Sequence, residues 1–148
     1  MVKTTKKEIK TRRVQTVSLY IDGENVSSKK ADKIVEVAKR QGNLCLSKVY
    51  GLQKDEHTKK WSDKAPKCGV KDIRLSGGPK KDKVDRKIQK DVKRETGENI
   101  DTVCIATSDG GFLNTVKQLK EQGKQVVIMG EEKTPSDLQN ACDKFIKI

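Results

Sequence analysis

An apolar run that stops at a carboxylate constrains this chain most. Val17-Ser18-Leu19-Tyr20-Ile21 leads without a break into Asp22-Gly23-Glu24-Asn25. A short apolar run closed by a turn signal reads as a buried strand. Asp-Gly can also make a tight hairpin turn. The next segment, however, is helix-like and not a second alternating strand. A strand-then-helix unit places Asp22 at the carboxyl edge of a sheet, where open α/β sheets hold their chemistry. The arrangement recurs when Thr102-Val103-Cys104-Ile105-Ala106-Thr107 runs into Ser108-Asp109-Gly110-Gly111.

The rest of the chain alternates in the same way. Residues 14–21, 43–51, 70–75, 101–107 and 125–129 read as strands. Helices are expected from Ser27 or Ser28 to about Arg40, around Trp61, over 83–95 and over 112–122. A last helix is expected to open at Thr134-Pro135, an N-cap followed by proline. Alternation of this kind predicts a single α/β domain over 14–148 with helices on both faces of a mainly parallel, five-stranded sheet. For Asp22 and Asp109 to meet, the first and fourth strands must be neighbours, which requires the order 3-2-1-4-5. Residues 1–13 carry Lys3, Lys6, Lys7, Lys10, Arg12 and Arg13 against Glu8 and read as a basic amino-terminal arm.

Charge narrows the partner. Lys and Arg number 33 against 21 Asp and Glu, a net charge of +12 that favours a polyanion over a small nucleotide. No segment has the length and apolarity of a membrane span or the core of a signal peptide. Cysteines at 45, 68, 104 and 142 make no zinc pattern, and Cys45 and Cys104 read as core residues. The expected setting is reduced and cytoplasmic. The lone histidine, His57, sits in a polar helical stretch and offers little for a Ser-His-Asp hydrolase.

A third acid joins the two strand ends. On the helix at 83–95, Val84, Ile88 and Val92 form the apolar stripe. Asp85 lies in its first turn, at the sheet's carboxyl edge. Asp91 is about 9 Å further along the axis, too far to share an ion with Asp85. It is expected to hydrogen-bond at the border of the core. Asp22, Asp85 and Asp109 together suit a hard cation such as Mg²⁺ or Mn²⁺. Plainer roles exist for Asp109, as an N-cap, and for Asp85, as a charge favoured at a helix N-terminus. The loop Gly77-Gly78-Pro79-Lys80-Lys81-Asp82-Lys83 leads into Asp85, and its Lys80, Lys81 and Lys83 suit phosphate contact. Arg12 and Arg13 of the arm suit it too. Trp61, among lysines, is either a base-stacking platform or a packing anchor.

These motifs, in this order, resemble the NYN domain, a branch of the PIN-like ribonuclease superfamily. The match runs through Asp22-Gly23-Glu24-Asn25, then Lys83-Val84-Asp85 with Asp91 six positions on, then Thr107-Ser108-Asp109-Gly110-Gly111-Phe112. It ends at Ser136, Leu138, Ala141, Asp143 and Phe145. The resemblance implies a PIN-like, Rossmann-type fold and divalent-metal hydrolysis of RNA phosphodiesters. It assigns Asp22, Asp85 and Asp109 to the metal cluster. Asn25 would organise Asp22 locally, and Ser108 and Asp91 would support the site. Asp143 would lie near the end of the last helix. Gly111 departs from the pattern, which often has a further acid there. That leaves three readings: an Mg²⁺- or Mn²⁺-dependent ribonuclease, acting alone or as a homodimer; a catalytically weak RNA-binding module; or a phosphatase or nucleotide hydrolase.

Overall fold

The computed structural model describes residues 14–53, 56–76 and 82–148. The arm at 1–13 and Lys80 and Lys81 lie outside them, as does the side chain of His57. Six strands form one sheet: β1 (Thr16–Asp22), β2 (Asn43–Leu52), β3 (Lys71–Leu75), β4 (Thr102–Ala106), β5 (Gln125–Gly130) and β6 (Lys144–Lys147). The helices are α1 (Ala31–Arg40), α2 (Glu56–Cys68), α3 (Lys83–Glu95), α4 (Leu113–Glu121) and α5 (Ser136–Ala141). The strand order is β3-β2-β1-β4-β5-β6, and every pairing is parallel. The expected order holds, with one strand added at the β5 edge.

Period-two alternation along the strands divides the interior in two. Val17, Leu19 and Ile21 of β1, with Cys104, Ala106, Val127 and Met129, pack against Ile34, Val35 and Ala38 of α1 and Trp61 and Ala65 of α2. Tyr20 of β1, with Val103, Ile105, Val126 and Ile128, packs against Val84, Ile88 and Val92 of α3, Val116 and Leu119 of α4 and Leu138 of α5. A strand buried on both faces contributes at every position. Leu19, Tyr20 and Ile21 are each fully buried, worth about 1.5–3 kcal/mol for each aliphatic side chain.

The sixth strand corrects the expectation for the carboxyl end. The last helix stops at Ala141, and its cap position is Pro135, with no side-chain cap bond. Asp143 lies beyond the helix and accepts a bond from the Val126 amide at 2.8 Å, which docks β6 beside β5. Asp143 is therefore a strand-pairing residue. Cys45 is also corrected, since it is exposed on β2 while Cys104 is buried.

Trp61 settles as a packing residue. Its side chain is fully buried, and its indole N–H donates to the Val26 carbonyl at 2.7 Å. It also backs the turn after β1. A Cβ on Gly23 would lie 2.6 Å from the Tyr50 carbonyl oxygen and 3.3 Å from Trp61 Cδ1. No side chain fits there, so the Asp-Gly pair reflects a close approach between β1 and β2. Being sealed in, Trp61 cannot stack a base. Trp61→Phe should cost about 2 kcal/mol, since it removes the indole bond to Val26 and thins the packing. Urea denaturation will measure this, and affinity for RNA should be unchanged.

Candidate functional site

The site is built where β1 and β4 end. These strands are neighbours, with Ile21 opposite Ala106, so Asp22 and Thr107 emerge side by side. Asp22 is fully buried. Its Oδ2 accepts from Asn25 Nδ2 at 2.8 Å and from Thr107 Oγ1 at 3.1 Å. Its Oδ1 is also buried and has no hydrogen-bond partner among the described residues. Burial pushes the Asp22 carboxyl up; Asn25, Thr107 and the Glu24 backbone amide pull it back, and the charge of Asp109 adds to the rise. Asn25, three residues on, thus holds the Asp22 carboxylate at the end of β1.

Asp109 is held by a short turn. Its amide donates to Thr107 Oγ1 at 3.1 Å, and its Oδ1 caps the 3-10 turn Gly110–Phe112 by accepting from the Gly111 amide at 2.9 Å. The N-cap role is real, and it occupies one carboxylate oxygen. Across from it, Asp85 sits on the inner side of the first turn of α3, only 6% exposed. Burial, a hydrogen bond with Asp109 and the charges of Asp22, Asp109 and Asp82 raise its carboxyl to about 8.

A fourth acid completes the group. One oxygen each from Asp82, Asp85 and Asp109 lies within 4.8 Å of the others. The sequence pattern leaves Asp82 in the loop, although its place three residues before Asp85 sets both on one side of a helix start. It is the one described non-glycine residue at positive φ, 64°, and its side chain makes no cap bond to α3. The tightest trio is therefore Asp82, Asp85 and Asp109. Asp22 stands beside it, close enough for its charge to raise Asp85.

The other expected site residues fall elsewhere. Asp91 is 1% exposed and sits on the buried side of α3. It accepts from the Tyr50 hydroxyl at 2.7 Å and pairs with Arg94 at 3.0 Å and Lys87 at 3.1 Å. Burial works to raise its carboxyl, but Tyr50 and Lys87 bring it below the usual range. It is a structural acid. Ser108 turns away from the carboxylates; its Oγ accepts from the Glu131 amide at 2.9 Å and from Thr134 Oγ1 at 3.1 Å. Lys83 donates its ammonium to the Ser76 carbonyl, which anchors α3 to the end of β3.

Gly111 lies at the edge of the cluster. A Cβ there would sit 3.2 Å from Asp109 Oδ1 and 3.5 Å from Asp85 Oδ2. Gly111 is not among the glycines at positive φ, so its backbone does not demand glycine.

A doubly wound α/β sheet with buried carboxylates at its switch point defines the class of this protein. The chain belongs to the NYN domain family, whose family model matches residues 16–148. Membership places it on a PIN-like, nuclease-type fold. It is similar to the uncharacterized protein MJ0482 of Methanocaldococcus jannaschii, at 33% identity over 141 residues covering 89% of this chain. The chain spans 55% of that relative's length. Among the described residues no helix is long and apolar enough to cross a membrane.

Two outcomes are expected of the acids. The folded protein holds the Asp85 proton up to about pH 8, while an unfolded carboxyl releases it near 3.8. Between those values the folded state binds more protons, so stability falls as pH rises through the window. Asp85→Asn should therefore melt above wild type at pH 9 without metal, and the gain should vanish near pH 4; melting curves across pH will check both ends. Asp91→Ala should cost about 3 kcal/mol by denaturant titration, because it strands the Tyr50 hydroxyl and two cations. Its metal affinity should equal that of wild type.

Proposed function

We propose that this protein is a divalent-metal-dependent ribonuclease that hydrolyses RNA phosphodiester bonds at the carboxylate cluster. The observation that carries this is the convergence of Asp82, Asp85 and Asp109 within 4.8 Å, beside a buried Asp22 oxygen that has no hydrogen-bond partner among the described residues. Acids do not gather without reason in a chain of net charge +12. Each raises its neighbours' affinity for protons, and a cation relieves that repulsion. All the donors are carboxylate oxygens, which suits Mg²⁺ or Mn²⁺ over softer metals. When bound, such an ion supplies a water of lowered pKa and positive charge at the scissile phosphate.

The chain's own residues divide the remaining work. Asp85 and Asp109 would hold the ion, with Asp82 and Asp22 beside them. Asn25 and Thr107 fix the Asp22 carboxylate in one orientation, leaving Oδ1 as the open donor. The turn at Gly110–Phe112 fixes Asp109. Phosphates of the substrate would be drawn to the chain's excess of basic side chains, a net charge of +12.

Gly111 favours a second reading, a weakly active RNA-binding module. The family pattern often has an acid there, and a side chain at 111 would press within 3.2 Å of Asp109 Oδ1, which would have to shift by a few tenths of an ångström. Gly111→Asp should raise Mn²⁺ affinity, because it adds oxygen ligands with no cost in backbone conformation.

Asp109→Asn separates the readings. The amide oxygen can still accept from the Gly111 amide, so the turn survives while the charge is lost. Calorimetry should show Mn²⁺ affinity falling about tenfold or more, the scale expected for losing a ligand-set interaction. Cleavage of mixed RNA in Mn²⁺ should disappear, and thermal stability should hold. Wild-type metal affinity and cleavage in Asp109→Asn would reduce Asp109 to a helix cap and remove the ribonuclease reading.

A further inference from the structure

Helix α3 carries Asp85 on its inner side and a uniform charge on its outer side. Its exposed residues are Arg86, Lys90, Lys93 and Arg94, all cations. The other helices do not look like this. The exposed residues of α1 are Asp32, Lys33, Glu36, Lys39 and Arg40, and those of α4 are Asn114, Lys117, Gln118, Lys120 and Glu121. A solvated face mixes its signs, as those two do.

Helix electrostatics accounts for only part of the pattern. Lys93 and Arg94 occupy the last turn, where the helix dipole favours cations. Arg86 is near the first turn, where the dipole opposes cations, and it already has an interaction within the protein. Arg94 and the half-buried Lys87 share the Asp91 carboxylate, so part of their charge is used internally. Lys90 and Lys93 have neither a hydrogen bond nor an ion pair among the described residues.

The position of this ridge gives it a direction. Gln89 donates to the Gly111 carbonyl at 3.2 Å and so marks the flank of α3 that faces the Asp109 turn. At 100° per residue, Lys93 and Arg86 are the next side chains round from Gln89, with Lys90 beyond them. From Arg86 to Lys93 the ridge rises about 10 Å along the axis. A polyanion passing the carboxylates would continue onto it.

We infer that the outer face of α3, through Arg86, Lys90 and Lys93, is the docking surface for the RNA backbone leading away from the carboxylate cluster. This rests on the ribonuclease reading, and it names a surface which that reading does not supply. The contact is to phosphates, so it tolerates sequence and depends on salt.

The test compares wild type with Arg86→Gln/Lys90→Gln/Lys93→Gln and with a control, Lys33→Gln/Lys39→Gln/Lys60→Gln. The control removes equal charge from α1 and α2 on the opposite face of the sheet. Binding of a fluorescent oligouridine is followed by anisotropy in EDTA over a salt series. Neutralising three phosphate contacts on a single strand should flatten the log–log salt slope by about 2. The control should leave the slope near wild type, and Mn²⁺ heats should be the same in all three proteins. Lys90→Glu, a single change at an exposed lysine, repeats the comparison should the triple variant fold poorly. An unflattened slope, or equal flattening in the control, overturns the ridge while wild-type cleavage keeps the ribonuclease reading. A wild type that neither binds nor cleaves RNA in Mn²⁺ ends both.

Discussion

Everything at the candidate site depends on the parallel pairing of β1 with β4. That pairing is the switch point of the sheet: chain connections leave it in opposite directions, to β2 on one side and β5 on the other. The two strands end level, so Asp22 is delivered to Thr107 and the turn after Thr107 can present Asp109. The cost is a buried carboxylate with one oxygen satisfied and one not. A buried acid in a fold's central strand is expensive even with hydrogen bonds to it, and the surrounding packing must hold it. Leu19, Tyr20 and Ile21 immediately before it are fully buried, which supplies that hold.

Helix α3 is the second support, and its two acids show how position decides role. Asp85 and Asp91 lie on one helix and are both nearly sealed from solvent. Asp91 meets a hydroxyl and two cations and stays charged. Asp85 meets other carboxylates, which together with burial push its carboxyl well above the usual range. Identical side chains on the same element thus become an internal strut and a member of the carboxylate cluster. The difference lies in which neighbours the sheet brings to each.

Much of this was legible in the sequence. Apolar runs alternating with helical stripes declared the parallel sheet, and the need to join Asp22 to Asp109 dictated the strand order. The bounds of α3 coincide with the stretch that reads as a helix, because Val84, Ile88 and Val92 mark its face so clearly. β6 was not legible. Its Lys-Phe-Ile-Lys carries two adjacent apolar residues, too little for a periodic signal, and it is defined by pairing with β5. Trp61 was ambiguous because its lysine neighbours point outward while it points in; only the Val26 carbonyl reveals its role. Asp82 was hidden among glycine and lysine, and nothing local distinguishes it until a helix start sets it beside Asp85.

The proton held on Asp85 has a thermodynamic counterpart in metal uptake. If the cluster takes up a cation as proposed, the ion would displace that proton into the solvent. Uptake would then be an exchange reaction favoured by rising pH, because the Asp85 carboxyl is held above the usual carboxylate range. The released proton is taken up by whatever buffer is present. The heat of binding therefore includes that buffer's heat of ionisation, and two buffers at one pH report different enthalpies for the same affinity. The gap between them counts the protons, which makes the crowding of these carboxylates a stoichiometric quantity as well as a structural one.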